Sequence, residues 1–133
     1  DPSAGSGRAD VAVIATGQMV YRALQAAKLL ELHKIAVRVI NCHTIKPLDK
    51  DTILKAAEEC GAVVTVEEHQ IHGGLGSAVA EVLSQNFPVP LKIIGIEDRF
   101  GESGEPNELL KKFGLTKENI IKAVTQTLRM KNK

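Results

Sequence analysis

Asp10-Val11-Ala12-Val13-Ile14-Ala15-Thr16-Gly17 decides the fold. Five apolar residues in succession, without polar alternation, suit a strand buried on both faces, and Thr16-Gly17 closes the run. Working outward, Gln18 to His33 places Val20, Leu24, Ala27 and Leu30 on one helical stripe. Ala36-Val37-Arg38-Val39-Ile40 is a second strand. Pro47-Leu48-Asp49 then opens a helix, with Asp49 as N-cap and Ile53, Leu54 and Ala57 facing inward. Gly61 is placed to end that helix in a left-handed conformation. Val63-Val64-Thr65-Val66 reads as the third strand, followed by a helix starting near Gly73 that carries Leu75, Ala78, Val79, Val82 and Leu83. Pro88 and Pro90 break the chain before a fourth strand, Leu91-Lys92-Ile93-Ile94-Gly95-Ile96. Beyond a glycine-rich loop, Pro106 suits the first turn of a short helix ending at Gly114. Thr116 caps a last helix with Ile120, Ile121, Val124 and Leu128 inward, frayed from Arg129 to Lys133.

Strands that are apolar throughout and alternate with helices mean a mainly parallel sheet covered on both faces, an α/β three-layer sandwich. Right-handed crossovers with one reversal of direction give the order 2-1-3-4. The switch point then lies between the ends of strands 1 and 3, and by the crevice rule a ligand belongs near Thr16-Gly17-Gln18 and Glu67-Glu68-His69.

The 133 residues allow one domain, large enough to bury roughly two-thirds of the surface of its unfolded chain. The opening residues 1–9, small and polar, read as a linker or an artificial remnant, which leaves 10–133 as the domain. Hydrophobic residues make up 44% and charged residues 25%, the balance of a soluble globular protein. Seventeen basic against sixteen acidic residues leave a net charge of +1, which argues against nucleic acid or an anionic membrane as partner. Aromatic residues are only 3%, too few for a base-stacking platform. Cys42 and Cys60 form no CxxC pair and read as packed thiols of a reducing, cytoplasmic compartment.

The densest chemical cluster is Glu67-Glu68-His69-Gln70-Ile71-His72-Gly73-Gly74-Leu75-Gly76. In one reading, an anion sits on the N–H groups around Gly73, Gly74 and Gly76 while His69 or Glu68 moves a proton. In the other, which the sequence favours, the glycines serve a tight turn and close packing, and the carboxylates complement the helix N-terminus or pair with another chain. The GGxG spacing is not the dinucleotide GxGxxG, and the P-loop lysine is absent. His69-x-x-His72 offers at most two metal ligands where zinc needs three or four, and adjacent Cys42 and His43 diverge in an extended chain. His33 reads as a surface residue near a helix C-terminus. The loop Glu97 to Glu105, with Arg99 and Ser103, is a candidate interface segment or a solvated loop with local pairing. No residue set makes a self-sufficient active site or cofactor site.

The motifs Asp10-Val11-Ala12-Val13-Ile14-Ala15-Thr16-Gly17, Ile45-Lys46-Pro47-Leu48-Asp49 and Glu67-Glu68-His69 occur in order. Gly73-Gly74-x-Gly76-Ser77-Ala78, Ser103-Gly104-x-Pro106-x-Glu108-Leu109-Leu110 and Phe113-Gly114-Leu115 follow. Together the series resembles the C-terminal domain of transketolase, from Asp10 to about Leu128. Deoxyxylulose-phosphate synthases share the Glu-x-His and Gly-Gly stretch, and 2-oxo-acid dehydrogenase β-subunits are the next neighbours.

The resemblance implies a full enzyme that binds thiamine diphosphate and a divalent metal, Mg or Ca, between pyrophosphate- and pyrimidine-binding domains. That enzyme moves a two-carbon ketol unit between sugar phosphates, as in the pentose phosphate pathway, and works as a homodimer. Both binding domains are missing from this stretch. The domain it resembles serves assembly or regulation, with no complete active site and no cofactor of its own. The family sheet also has a fifth, antiparallel strand before the segment matching Val11, which implies a bare sheet edge here. Two rival expectations stand beside this one: a free-standing module binding a small anion or nucleotide in the crevice, and a docking domain of a related thiamine-dependent enzyme.

Overall fold

The computed structural model describes residues 9–42, 49–70, 74–96 and 116–132. The elements are β1 (Val11–Ala15), α1 (Met19–Glu31), β2 (Val37–Asn41), α2 (Lys50–Cys60), β3 (Val63–Gln70), α3 (Leu75–Asn86), β4 (Leu91–Ile96) and α4 (Lys117–Lys131). The strands form one parallel sheet in the order β2-β1-β3-β4, as the apolar runs predict. Every residue of β1 is fully buried, because β1 is central and helices cover it on both sides. Residues 1–8 of the stretch 1–9 expected as a linker, the Pro47-Leu48 entry, the candidate interface loop with Arg99 and Ser103, and the helix expected from Pro106 to Gly114 lie outside the described residues. Ala9 is described, and it is buried in the core against the α2–α3 face.

Two cores result. Val11, Val13, Val64 and Val66 pack with Met19, Ala23, Ala26 and Leu30 of α1 and Ile120 and Val124 of α4. Ala12, Ile14 and Val63 pack with Ile53 and Ala57 of α2 and Leu75, Val79 and Leu83 of α3 on the opposite face. The expected three layers are therefore present.

Three local readings change. The buried stripe of α1 runs through Met19, Ala23, Ala26 and Leu30, while Leu24 is 51% exposed. The alanines let α1 sit close to the sheet, so small residues rather than the larger leucine mark its inner face. In α4 the buried face is Ile120, Ala123, Val124 and Thr127, with Ile121 and Leu128 only partly covered. That helix also stays regular to Lys131 instead of fraying from Arg129. The Lys131 ammonium donates to the carbonyls of Cys60 at 2.8 Å and Asp10 at 3.0 Å, tying the last turn to the floor of the sheet.

The helix ends follow their sequence signals. The Asp49 carboxylate accepts the N–H of Thr52 at 3.1 Å and its hydroxyl at 2.7 Å, so Asp49 caps α2. Gly61 ends α2 at φ 77°, in the left-handed region that favours glycine. Thr116 caps α4 by accepting from the Asn119 N–H.

Candidate functional site

The carboxyl end of β1 at Ala15 lies beside Val66 of β3, with the chain leaving β1 toward β2 on one flank and reaching β3 on the other. That is the switch point of the sheet, where doubly wound domains hold ligands. The Thr16 N–H donates to the Val66 carbonyl at 3.2 Å, and Gly17 turns the chain at φ 54°. Thr16 thus sits beside Val66, inside β3 rather than at its end.

Glu67, Glu68 and His69 lie within β3, which runs on to Gln70, rather than in a loop at its end. The ladder to β4 shifts register between Val66 and Gln70 in the same stretch. Strand alternation turns Thr65 and Glu67 toward the α2–α3 face and Val64 and Val66 toward the other. Glu67 is fully buried, and its carboxylate accepts the N–H of Leu75 at 2.7 Å and of Gly76 at 3.5 Å. A buried carboxylate needs such partners, and the first turn of a helix supplies them with a favourable dipole. The packing reading of this cluster therefore describes Glu67 and Gly76.

Gly76 allows the close approach. A Cβ there would overlap Ile93 Cγ2 and lie 3.0 Å from Ile93 Cγ1 and from Thr65 Oγ1. Only a residue without a side chain lets α3 press onto β3 and β4 at this point. Gly74 is buried and serves as the N-cap of α3, its carbonyl accepting the Ala78 N–H at 3.1 Å. His72 and Gly73 lie outside the described residues.

Among the described residues no group of three or more His, Cys, Asp or Glu converges as a metal site would require. No described helix is long and apolar enough to cross a membrane. Cys60 is buried, and burial pushes its thiol up from the ordinary cysteine range, partly offset by the Arg38 guanidinium. That is a packed thiol rather than a nucleophile. Arg38 itself pairs with Glu59 at 2.6 Å. His33 is exposed just past α1. The Leu75 and Gly76 amides at the start of α3 already face the Glu67 carboxylate, so they do not fit a diphosphate group.

The family model for the transketolase C-terminal domain matches residues 5–120. The chain belongs to that family. Among transketolase relatives, the 6-deoxy-6-sulfo-D-fructose transketolase subunit SqwH of Clostridium sp. (strain MSTE9) is 47% identical over 92% of this chain and 38% of its own length. The 1-deoxy-D-xylulose-5-phosphate synthase of Trichormus variabilis is 45% identical over 88% of the chain but only 19% of the synthase. A solved structure described as "Split gene transketolase, inactive beta4 tetramer" superposes with a TM-score of 0.88 and 48% identity, covering 93% of this chain and 41% of that one. The transketolase C-terminal-like chain thus spans about two-fifths of the transketolase subunits it resembles. Sequence reasoning found the motifs but missed Lys131, whose carbonyl partners lie far away in the chain.

Proposed function

We propose that this chain is the assembly domain of a thiamine-diphosphate-dependent transketolase whose catalytic domains lie in the same protein or in a partner subunit. The observation that carries the reading is the family match along most of the chain, set against coverage of only 41% of a split-gene transketolase chain. The full enzyme transfers a two-carbon ketol unit between sugar phosphates and holds thiamine diphosphate through a divalent metal, Mg or Ca, in its other domains. We place it in the cytoplasm as a homodimer and assign it to sugar-phosphate interconversion such as the pentose phosphate pathway. The loop with Arg99 and Ser103 is the candidate interface segment of that assembly, and the residues Thr16, Gly17, Glu67, Glu68, His69, His72, Gly73, Gly74 and Gly76 serve as a structural crevice rather than a catalytic one.

The test is ketol transfer from fructose 6-phosphate and from a sulfonated fructose donor, with thiamine diphosphate and Mg²⁺. The chain alone is expected to be inactive, and activity is expected once the thiamine-binding chain or domains are added. Significant transfer by the isolated chain overturns the reading. A second reading, part of a deoxyxylulose-phosphate synthase, is favoured by synthases 38% to 46% identical to the chain. Condensation of pyruvate with glyceraldehyde 3-phosphate by the reconstituted enzyme, without transfer from ketose phosphates, would select it.

A further inference from the structure

An open α/β sheet offers anions the N–H groups of a helix beginning at its switch point. Here that helix is α3, and a side chain from the strand beneath occupies the position. The Glu67 carboxylate is fully buried and accepts the Leu75 N–H at 2.7 Å and the Gly76 N–H at 3.5 Å. Gly76 brings the helix low enough to be reached, since a Cβ there would collide with Ile93. A second polar group lies under the same turn. The Thr65 hydroxyl is wholly buried, has no hydrogen-bond partner among the described residues, and sits 3.0 Å from where a Gly76 Cβ would be. Thr65 and Glu67 share one face of β3, so the floor of this site is polar as well as its roof.

We infer that Glu67 is a built-in ligand: its carboxylate fills the anion site of the fold, so the native crevice refuses phosphate, and vacating it creates a site for a small carboxylate. Phosphate would have to displace a tethered anion that already holds both amides and pays no entropy of association. The site therefore belongs to the chain itself, and the Glu67 carboxylate fixes the start of α3.

The experiment uses the 133-residue chain with formate and inorganic phosphate as probes. In the Glu67→Ala variant, formate is expected to raise the melting temperature saturably above an equal concentration of chloride. It is also expected to shift the backbone amide resonances of Leu75 and Gly76. In the native chain neither formate nor phosphate moves those resonances. A native response to phosphate, or a Glu67→Ala chain that responds to formate no more than to chloride, overturns the inference. Should Glu67→Ala fail to fold, Glu67→Gln keeps the volume and one acceptor but not the charge. Its Leu75 amide is then expected to exchange about tenfold faster, the scale of a hydrogen bond to a charged group. Unchanged exchange would contradict the role of the anion.

Discussion

Two helix ends in this domain meet the same physical problem with opposite charges. At the upper end of the sheet, the Glu67 carboxylate receives the first amides of α3. At the lower end, the Lys131 ammonium donates to the Cys60 carbonyl at the end of α2 and to the Asp10 carbonyl before β1. Each charge has the sign that suits the helix dipole it faces. They differ in burial. Glu67 is sealed from water, whereas Lys131 is only partly covered. Water can replace a lost donor at the lower end but not a lost acceptor at the upper one, so the same contact weighs differently.

The contrast can be broken by mutation. Glu67→Ala leaves two buried amides without an acceptor and opens a cavity, so urea unfolding is expected to show a loss of about 3 kcal/mol. Gly76→Ala keeps the carboxylate but forces α3 away from Ile93, with an expected loss of about 1–3 kcal/mol, the range for overpacking. Lys131→Met retains the aliphatic stem and loses the ammonium, and about 1 kcal/mol is expected, close to the net value of a hydrogen bond that water can replace. A Lys131→Met loss as large as that of Glu67→Ala would remove the distinction between the two ends.

The smallest effect is at Asp49, an exposed cap. The Thr52 hydroxyl, and then its backbone N–H, hold the Asp49 carboxyl below its ordinary value. The ionised form is thus favoured in the folded state, so its contribution is present above the ordinary carboxylate range and fades as pH falls through the lowered value. The gap in urea midpoint between the native chain and Asp49→Ala is expected to close on acidification. A gap that widens in acid would contradict this cap.

Much of the architecture was legible because β1, β2 and β4 are runs rich in Val and Ile between helix signals, a pattern set by local burial. Asp49 and Thr116 were legible as caps for the same reason, since each partner lies three residues away. The phase of α1 was not, because Ala23 and Ala26 mark its inner face by being small while Leu24 carries more hydrophobicity outward. The extension of β3 was hidden as well. Glu67-Glu68 looks like the end of a strand because a carboxylate is rarely buried, and its partner amides come from the next helix. Lys131 looked like a frayed tail because its partners are brought to it only by the finished fold. Local pattern reports what neighbours in the chain do; it is blind to partners supplied by packing.

The most direct measurement is mass spectrometry of the native polypeptide carrying this sequence, captured from its source cells with whatever it holds. The account predicts thiamine-binding transketolase domains, either in the same longer chain or in a stoichiometric companion. A free chain of 133 residues with no such companion would contradict it.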